Sequence, residues 1–331
     1  LFDEQDKSDY TQKIVYLGWA AQVSSAWRSA LTANRFEAKD RYQSPGISPY
    51  FEVPPNSADT DFTRDHLQWV YSLQLVQGYS VNVGADYRHE DGQSEGFIEY
   101  FGDLNPTDFD LDRDTAGFFA GVTASPTDAL LLQGSLRYDN PEGFDSETSF
   151  QAGVQYTVGS GVAVAANWGE AYKLPSFFAL GHALVGNPDL KPEQGESWDL
   201  GVTWEAADVL RLAATVFHND FRDLVDFDDE TFRNVNRSNV QTRGLELQVD
   251  WQPLTAFSLR SQATYTDIDV KNEDTVLTGR PEWTASVVAQ WHITEQLNAA
   301  LDYVYTGQQW ATSRHTGAEV TEELNDFGRL D

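Results

Sequence analysis

Apolar and polar residues alternate along most of this chain with a period of two. Over 209–218 one face carries Leu210, Leu212, Ala214 and Val216, and the other Arg211, Ala213 and Thr215. Over 241–251 Leu245, Leu247, Val249 and Trp251 are set against Arg243, Glu246, Gln248 and Asp250. Over 282–291 Trp283, Ala285, Val287, Ala289 and Trp291 face away from Glu282, Thr284, Ser286 and Gln290. Such alternation predicts strands with one face in an apolar medium and one in a polar medium.

About fourteen strands are expected, near 11–22, 26–40, 63–75, 79–90, 113–124, 128–139, 147–158, 160–170, 195–205, 209–222, 240–252, 256–267, 282–292 and 296–306. They are long for a soluble sandwich and suit a tilted membrane crossing of roughly nine to eleven residues. Tight turns are expected at Gln77–Tyr79, Ser125–Asp128, Gly159–Gly161, Ala206–Asp208, Pro253–Thr255 and Thr294–Gln296. Longer polar loops alternate with them, at 41–62, 91–112, 140–146, 171–194, 223–239, 268–281 and 307–325. The pattern predicts an all-β fold: a transmembrane antiparallel up-and-down β-barrel with short periplasmic turns and long extracellular loops.

Composition supports the same picture. Aromatics are 13% of the 331 residues, and many sit near strand ends on the apolar face, as Tyr138, Trp168, Trp198, Trp204, Trp251 and Trp283 do. Rings with a polar edge suit the headgroup level of a bilayer. The opposite face carries Gln68, Asp86, Arg88, Arg137, Gln151, Asn167, Arg243, Glu246 and Gln262, too many polar groups for a dry core. They are expected to line a wet lumen or to contact a polar plug. No run of about 18 apolar residues exists that could cross a bilayer as a helix.

The segment 167–201 carries the most specific motif. Tyr172, Leu174, Pro175 and Ser176 are followed by Gly186, Asn187, Pro188, Asp189, Leu190, Lys191, Pro192 and Glu193, then by Ser197 and Gly201. It resembles the TonB-dependent outer-membrane receptors, with Asp199 where that family usually has Glu. VFHNDFRDLV at 216–225, NVQTRGLELQVDW at 239–251, GRPEWTASV at 279–287 and LNDFGRLD at 324–331 extend the resemblance through the second half of the chain. The first half matches in architecture only.

The resemblance implies a 22-stranded barrel of which this chain holds about strands 6 to 19. It further implies a bacterial outer-membrane location, contact with lipid and lipopolysaccharide, and TonB working through a plug. Leu1 is not an initiator Met, so residues 1–331 are read as an internal piece of the barrel, with plug and closing strands outside it. The implied activity is energised uptake of a scarce small molecule or metal chelate, with ferric siderophores and cobalamin as leading cargoes. A passive substrate-specific porin, a haem receptor and an outer-membrane hydrolase are the alternatives. A soluble β-rich protein is a further rival, which purification without detergent would reveal.

Candidate ligand contacts lie at the tip of the 171–194 loop: Phe177, Phe178, His182 and Val185. Three prolines fix φ at intervals along this loop, so a purely structural role weighs against ligand contact. His182 stands where haem-uptake relatives carry an axial histidine, but KLPS replaces their first box. Asp108, Asp110 and Asp112 form an alternating acidic run suggestive of loop-bound Ca²⁺, although Arg113 and Phe119 stand where an EF-hand needs Gly and Glu. A second acidic cluster is Asp226, Asp228, Asp229 and Glu230. No other cofactor is expected.

A net charge of −30 argues against nucleic acid, and the lack of cysteine removes disulfides and thiolate chemistry. Ser313 and His315 belong to no nucleophile elbow, and no Walker or zinc motif is present, so an enzyme is not expected.

Overall fold

The computed structural model describes residues 5–46, 54–228, 231–237, 239–271, 276–313 and 320–331. The first strands are β1 (Lys7–Ser24), β2 (Trp27–Ser44), β3 (Asn56–Val76), β4 (Tyr79–Tyr100) and β5 (Asp103–Pro106). They are followed by β6 (Phe109–Thr127), β7 (Leu130–Pro141), β8 (Glu147–Gly159) and β9 (Val162–Lys173). A short helix, α1 (Phe177–Gly181), precedes β10 (Glu193–Ala206), β11 (Leu210–Arg222), β12 (Val225–Asp228) and β13 (Arg233–Asn236). Next come β14 (Asn239–Leu254), β15 (Phe257–Lys271), β16 (Trp283–His292) and β17 (Asn298–Thr306). The last elements are β18 (Gln309–Ser313), β19 (Val320–Leu324) and β20 (Phe327–Leu330).

One antiparallel sheet runs β1-β2-β3-β4-β6-β7-β8-β9-β10-β11-β14-β15-β16-β17-β20, with β5 paired to β4. Strands adjacent in this order are joined by the expected tight turns at one end. Several of these turns need left-handed backbone: Gly78, Ser160, Gly161, Ala207 and Asp208 all have positive φ. That geometry matches the right-handed twist of the flanking strands. At the other end, β12–β13 and β18–β19 are separate hairpins within the connections. All fourteen expected strands are present, and β20 is the start of a fifteenth at 324–331.

Burial separates this sheet from a soluble fold. Among the described residues, prolines apart, the only buried apolar side chains are Phe177, Ala179, Leu190 and Val240, three of them in the β9–β10 connection. Trp198, Leu200, Val202 and Trp204 of β10 are all more than two-fifths exposed. Leu247 and Trp251 on β14 and Trp283 and Trp291 on β16 are similarly open. These side chains share the outer face, since Trp198, Leu200 and Val202 pair with His218, Val216 and Ala214, and those with Arg243, Leu245 and Leu247. A face this apolar requires lipid as its solvent.

Aromatic girdles bound the apolar band. Trp251, Phe257 and Trp291 pack edge to face near the tight turns, while Tyr265 with Trp283 and Trp198 with His218 pack at the other border. Eight residues separate Trp283 from Trp291, about 26 Å along a strand, which tilted by some 40° covers about 20 Å of the roughly 25 Å apolar height of an outer-membrane barrel. Val202→Arg, four residues inside the Trp198 border, is therefore expected to cost about 2–4 kcal/mol of stability in lipid. Gln262→Arg on the inner face should change it by less than about 0.5 kcal/mol. Denaturant unfolding of the bilayer-reconstituted protein measures both.

Three expectations are corrected. Arg243, expected on the polar inner face, lies on the outer face because it is two residues before Leu245, and there it pairs with Asp267 at 2.7 Å. Half of the expected loop 41–62 and most of 91–112 are strand: β3 begins at Asn56 and β4 continues to Tyr100, while 47–53 lie outside the described residues. In these extensions both faces are polar, so apolar alternation ends while the ladder continues. Cross-strand pairs such as Lys39–Asp61 at 2.9 Å and Arg41–Asp59 at 4.0 Å replace apolar contacts there. Finally, Asp110 and Asp112 lie within β6 and Asp108 directly precedes it, so the acidic run is not a loop.

Candidate functional site

The site is built where the 174–192 connection folds against the inner face of β3, β4 and β6. Ser176 caps α1, its Oγ accepting the Ala179 N–H at 3.1 Å, which satisfies one of the free donors of the first turn. The buried Phe177 ring lies 6.2 Å from that of Phe62 and 5.0 Å under the Arg113 guanidinium. It occupies the space a side chain at position 92 would take, since a Cβ on Gly92 would come within 2.3 Å of Phe177 Cδ2. Gly181 packs in the same way against Leu111 and Phe109 of β6. Arg113 Nη1 donates to the Pro175 carbonyl at 3.2 Å.

The rest of the motif fastens the connection to the β12–β13 hairpin. Asn187 donates its Nδ2 to the Asn234 carbonyl at 2.9 Å, and its Oδ1 accepts the Asp189 N–H at 3.0 Å in an Asx turn. Asn234 returns its N–H to the Val185 carbonyl at 2.9 Å. Asn236 Oδ1 accepts the Lys191 N–H at 2.7 Å. Glu193 joins the base by accepting the Val225 N–H at 2.9 Å and pairing with Lys173 at 2.7 Å. Gly186 sits so close to His182 that a Cβ would fall 2.6 Å from that residue's backbone N and O. Leu190 is buried, whereas Pro188 is exposed.

Of the four expected ligand contacts, Phe177 is turned inward as an anchor and Val185 gives its carbonyl to Asn234. Phe178 is half exposed, with the His182 ring 4.7 Å away. His182 Nδ1 accepts the N–H groups of Leu184 and Val185, both at 3.3 Å, and burial pushes its pKa below the ordinary imidazole value. A neutral ring that accepts at Nδ1 carries its proton on Nε2. Axial ligation of haem through Nε2 would need the other tautomer and would sacrifice both bonds, so the geometry disfavours it.

Asp110, Asp112 and Asp114 point outward above the apolar band, at register positions facing Gln93, Asp91 and His89. Asp114 is 2.8 Å from His89, and Asp108 accepts the Gly96 N–H at 2.8 Å. Strand spacing sets the Cα atoms of alternate residues about 6.6 Å apart along β6. Among the described residues no three His, Asp or Glu groups converge as a metal site. Asp226 and Asp228 flank Arg237, at 3.6 and 2.9 Å; Asp229, Glu230 and His315 lie outside the described residues.

Below the connection, the inner face carries an ion-pair network whose members lie outside the sequence motif. Arg137 of β7 makes a fork with Asp86 of β4, at 2.7 and 3.0 Å, and bonds Asp139 at 2.5 and 2.8 Å. It reaches across β6 because Gly117, in register between Asp86 and Asp139, leaves the space open; a Cβ there would stand 2.3 Å from Arg137 Nη2. Arg113 pairs with Glu90 at 2.8 Å. Asp86, Arg88 and Arg137 were legible as inner-face residues from alternation. Glu90, Arg113 and Asp139 fall where apolar alternation fades, and only continued parity along β4, β6 and β7 would have found them. These side chains, with His66, Gln68, Gln151 and Tyr172, line a cavity of about 560 Å³ that opens on the inner side.

Solved structures share this architecture. The ferric-catecholate import receptor Fiu of E. coli K12 matches with a TM-score of 0.78 at 17% identity, covering 98% of this chain and 57% of Fiu. The siderophore receptor PiuA of Acinetobacter baumannii gives 0.77 at 16% identity, covering 98% and 58%. The ferric yersiniabactin uptake receptor FyuA of Yersinia pestis gives 0.79 at 14% identity, covering 98% and 53%. This chain thus spans little more than half the length of each. The sequence model of the TonB dependent receptor-like, beta-barrel family matches residues 1–331, and the chain belongs to that family of outer-membrane barrels.

Proposed function

We propose that the complete protein takes up a ferric siderophore across the outer membrane, with this chain supplying wall and capture loops. The observation that carries this is the mouth of the barrel. There the exposed Phe178 and Leu184 of the connection and Phe227 and Phe232 of the next hairpin belong to two elements stitched together by Asn187 and Asn234. Apolar rings fixed at the rim above a charged wall suit a chelate with an organic periphery and a polar centre. The names of Fiu, PiuA and FyuA support the cargo class. A plug, and TonB drawing on inner-membrane proton-motive force, would supply the release step that the wall alone has no energy to drive. Cobalamin is the second cargo, favoured by the motif resemblance.

Binding of ferric catecholate, ferric hydroxamate, ferric carboxylate and cobalamin to the full-length receptor tests the reading. Phe178→Ala with Phe232→Ala should weaken the true cargo roughly 10-fold or more. Unchanged binding would remove the rim from the proposal. Uptake that persists after a protonophore collapses the proton-motive force would indicate a passive channel.

A further inference from the structure

The inner wall treats its arginines unequally. Arg137 spends its donors on Asp86 and Asp139, and Arg113 spends its own on Glu90 and the Pro175 carbonyl. Arg88 lies between them on β4. Its nearest carboxylate oxygen is Glu90 Oε2 at 3.9 Å, which already accepts two bonds from Arg113 at 2.8 and 3.3 Å. Arg88 Nε is buried and donates to nothing. Thr115, its partner across the β4–β6 ladder, is 1% exposed, and its Oγ1 is likewise unpaired. On the other side His66, next in register, holds its Nδ1 3.2 Å from Asn34.

A guanidinium with unpaired donors is unfavourable in a partly buried place, and an acceptor that bonds its accessible end offsets part of that loss. The rest of the Arg88 side chain is about a third exposed and lines the 560 Å³ cavity beside the neutral Gln68, Ser149 and Gln151; of the acidic groups on the same wall, Asp86 and Asp139 are held by Arg137 and Glu90 by Arg113, while Glu170 lies on the far side of the lining. A planar fork with spare donors matches a carboxylate, which takes two parallel N–H bonds. We propose that Arg88 is a carboxylate-binding position on the inner wall, and that it receives a carboxylate group of the cargo as the chelate passes the rim. The assignment to cargo rests on the uptake reading above; the affinity for a carboxylate does not.

Calorimetry on the full-length receptor, with succinate, ferric citrate and an uncharged ferric trihydroxamate as separate probes, tests this. Arg88→Gln should weaken succinate and ferric citrate by about 10- to 100-fold and leave the trihydroxamate unchanged. Arg88→Lys, which keeps the charge but loses the fork, should fall between, with both variants retaining the wild-type melting temperature. No binding of either carboxylate to the wild type, or equal weakening of all three probes, overturns the proposal. If chelates bind but Arg88→Gln changes nothing, the Arg88 assignment fails while the uptake reading stands. If succinate alone binds and depends on Arg88, the carboxylate position stands and the uptake reading fails.

Discussion

Replacing Arg137 with Ala is expected to lower the stability of the full-length protein by about 3–5 kcal/mol, the largest single-residue effect on the inner wall. The reason is not the attraction lost but the charges left behind. The Asp86 and Asp139 side chains are 6% and 3% exposed, and Arg137 supplies four bonds to them. With it gone, two buried carboxylates face each other across Gly117. They must then stay ionised with only His66, 3.6 Å from Asp86, in ion-pair range, or take up protons. Thermal or denaturant unfolding in detergent measures the loss. Arg137→Met combined with Asp86→Asn and Asp139→Asn should recover most of it, because the uncompensated charge is removed together with its partner. If the single change costs less than 1 kcal/mol, water from the cavity reaches these groups and the network is ornamental.

Phe177→Ala should release the 174–192 connection while leaving the sheet intact. The ring is 7% exposed and fills the space over Gly92 between Phe62 and Arg113, so truncation removes about 3–5 kcal/mol of local packing. Gly92→Ala should act in the same direction, since its Cβ would invade the ring. Hydrogen exchange of the intact receptor is the appropriate measurement. Protection of 179–190 should collapse, while β9 and β10 keep theirs. Phe178→Ala, which removes an exposed ring, should leave protection unchanged and affect only cargo binding. Equal effects of Phe177 and Phe178 on exchange would contradict the division between anchor and rim.

Within the motif, the sequence was informative about folding more than about recognition. Pro175 and Ser176 mark the start of α1, and Asn187, Leu190 and Glu193 hold the connection to its neighbours, as a structural role for this loop requires. Which aromatic of the Phe177–Phe178 pair turns inward could not be read there. Both are apolar, and the choice depends on Gly92 and Phe62, more than eighty residues earlier in the chain.

Alternation by itself determined the strands, the two faces and the ends bearing tight turns. These are local consequences of a backbone that points successive side chains in opposite directions and of a bilayer that demands one apolar face. Tertiary structure alone decided how far the strands continue beyond the apolar band, because polar residues on both faces leave no contrast to read. It also decided the partners of Arg137, Arg113 and Arg88. Those depend on strand register, which places β4, β6 and β7 side by side across distances no local pattern encodes.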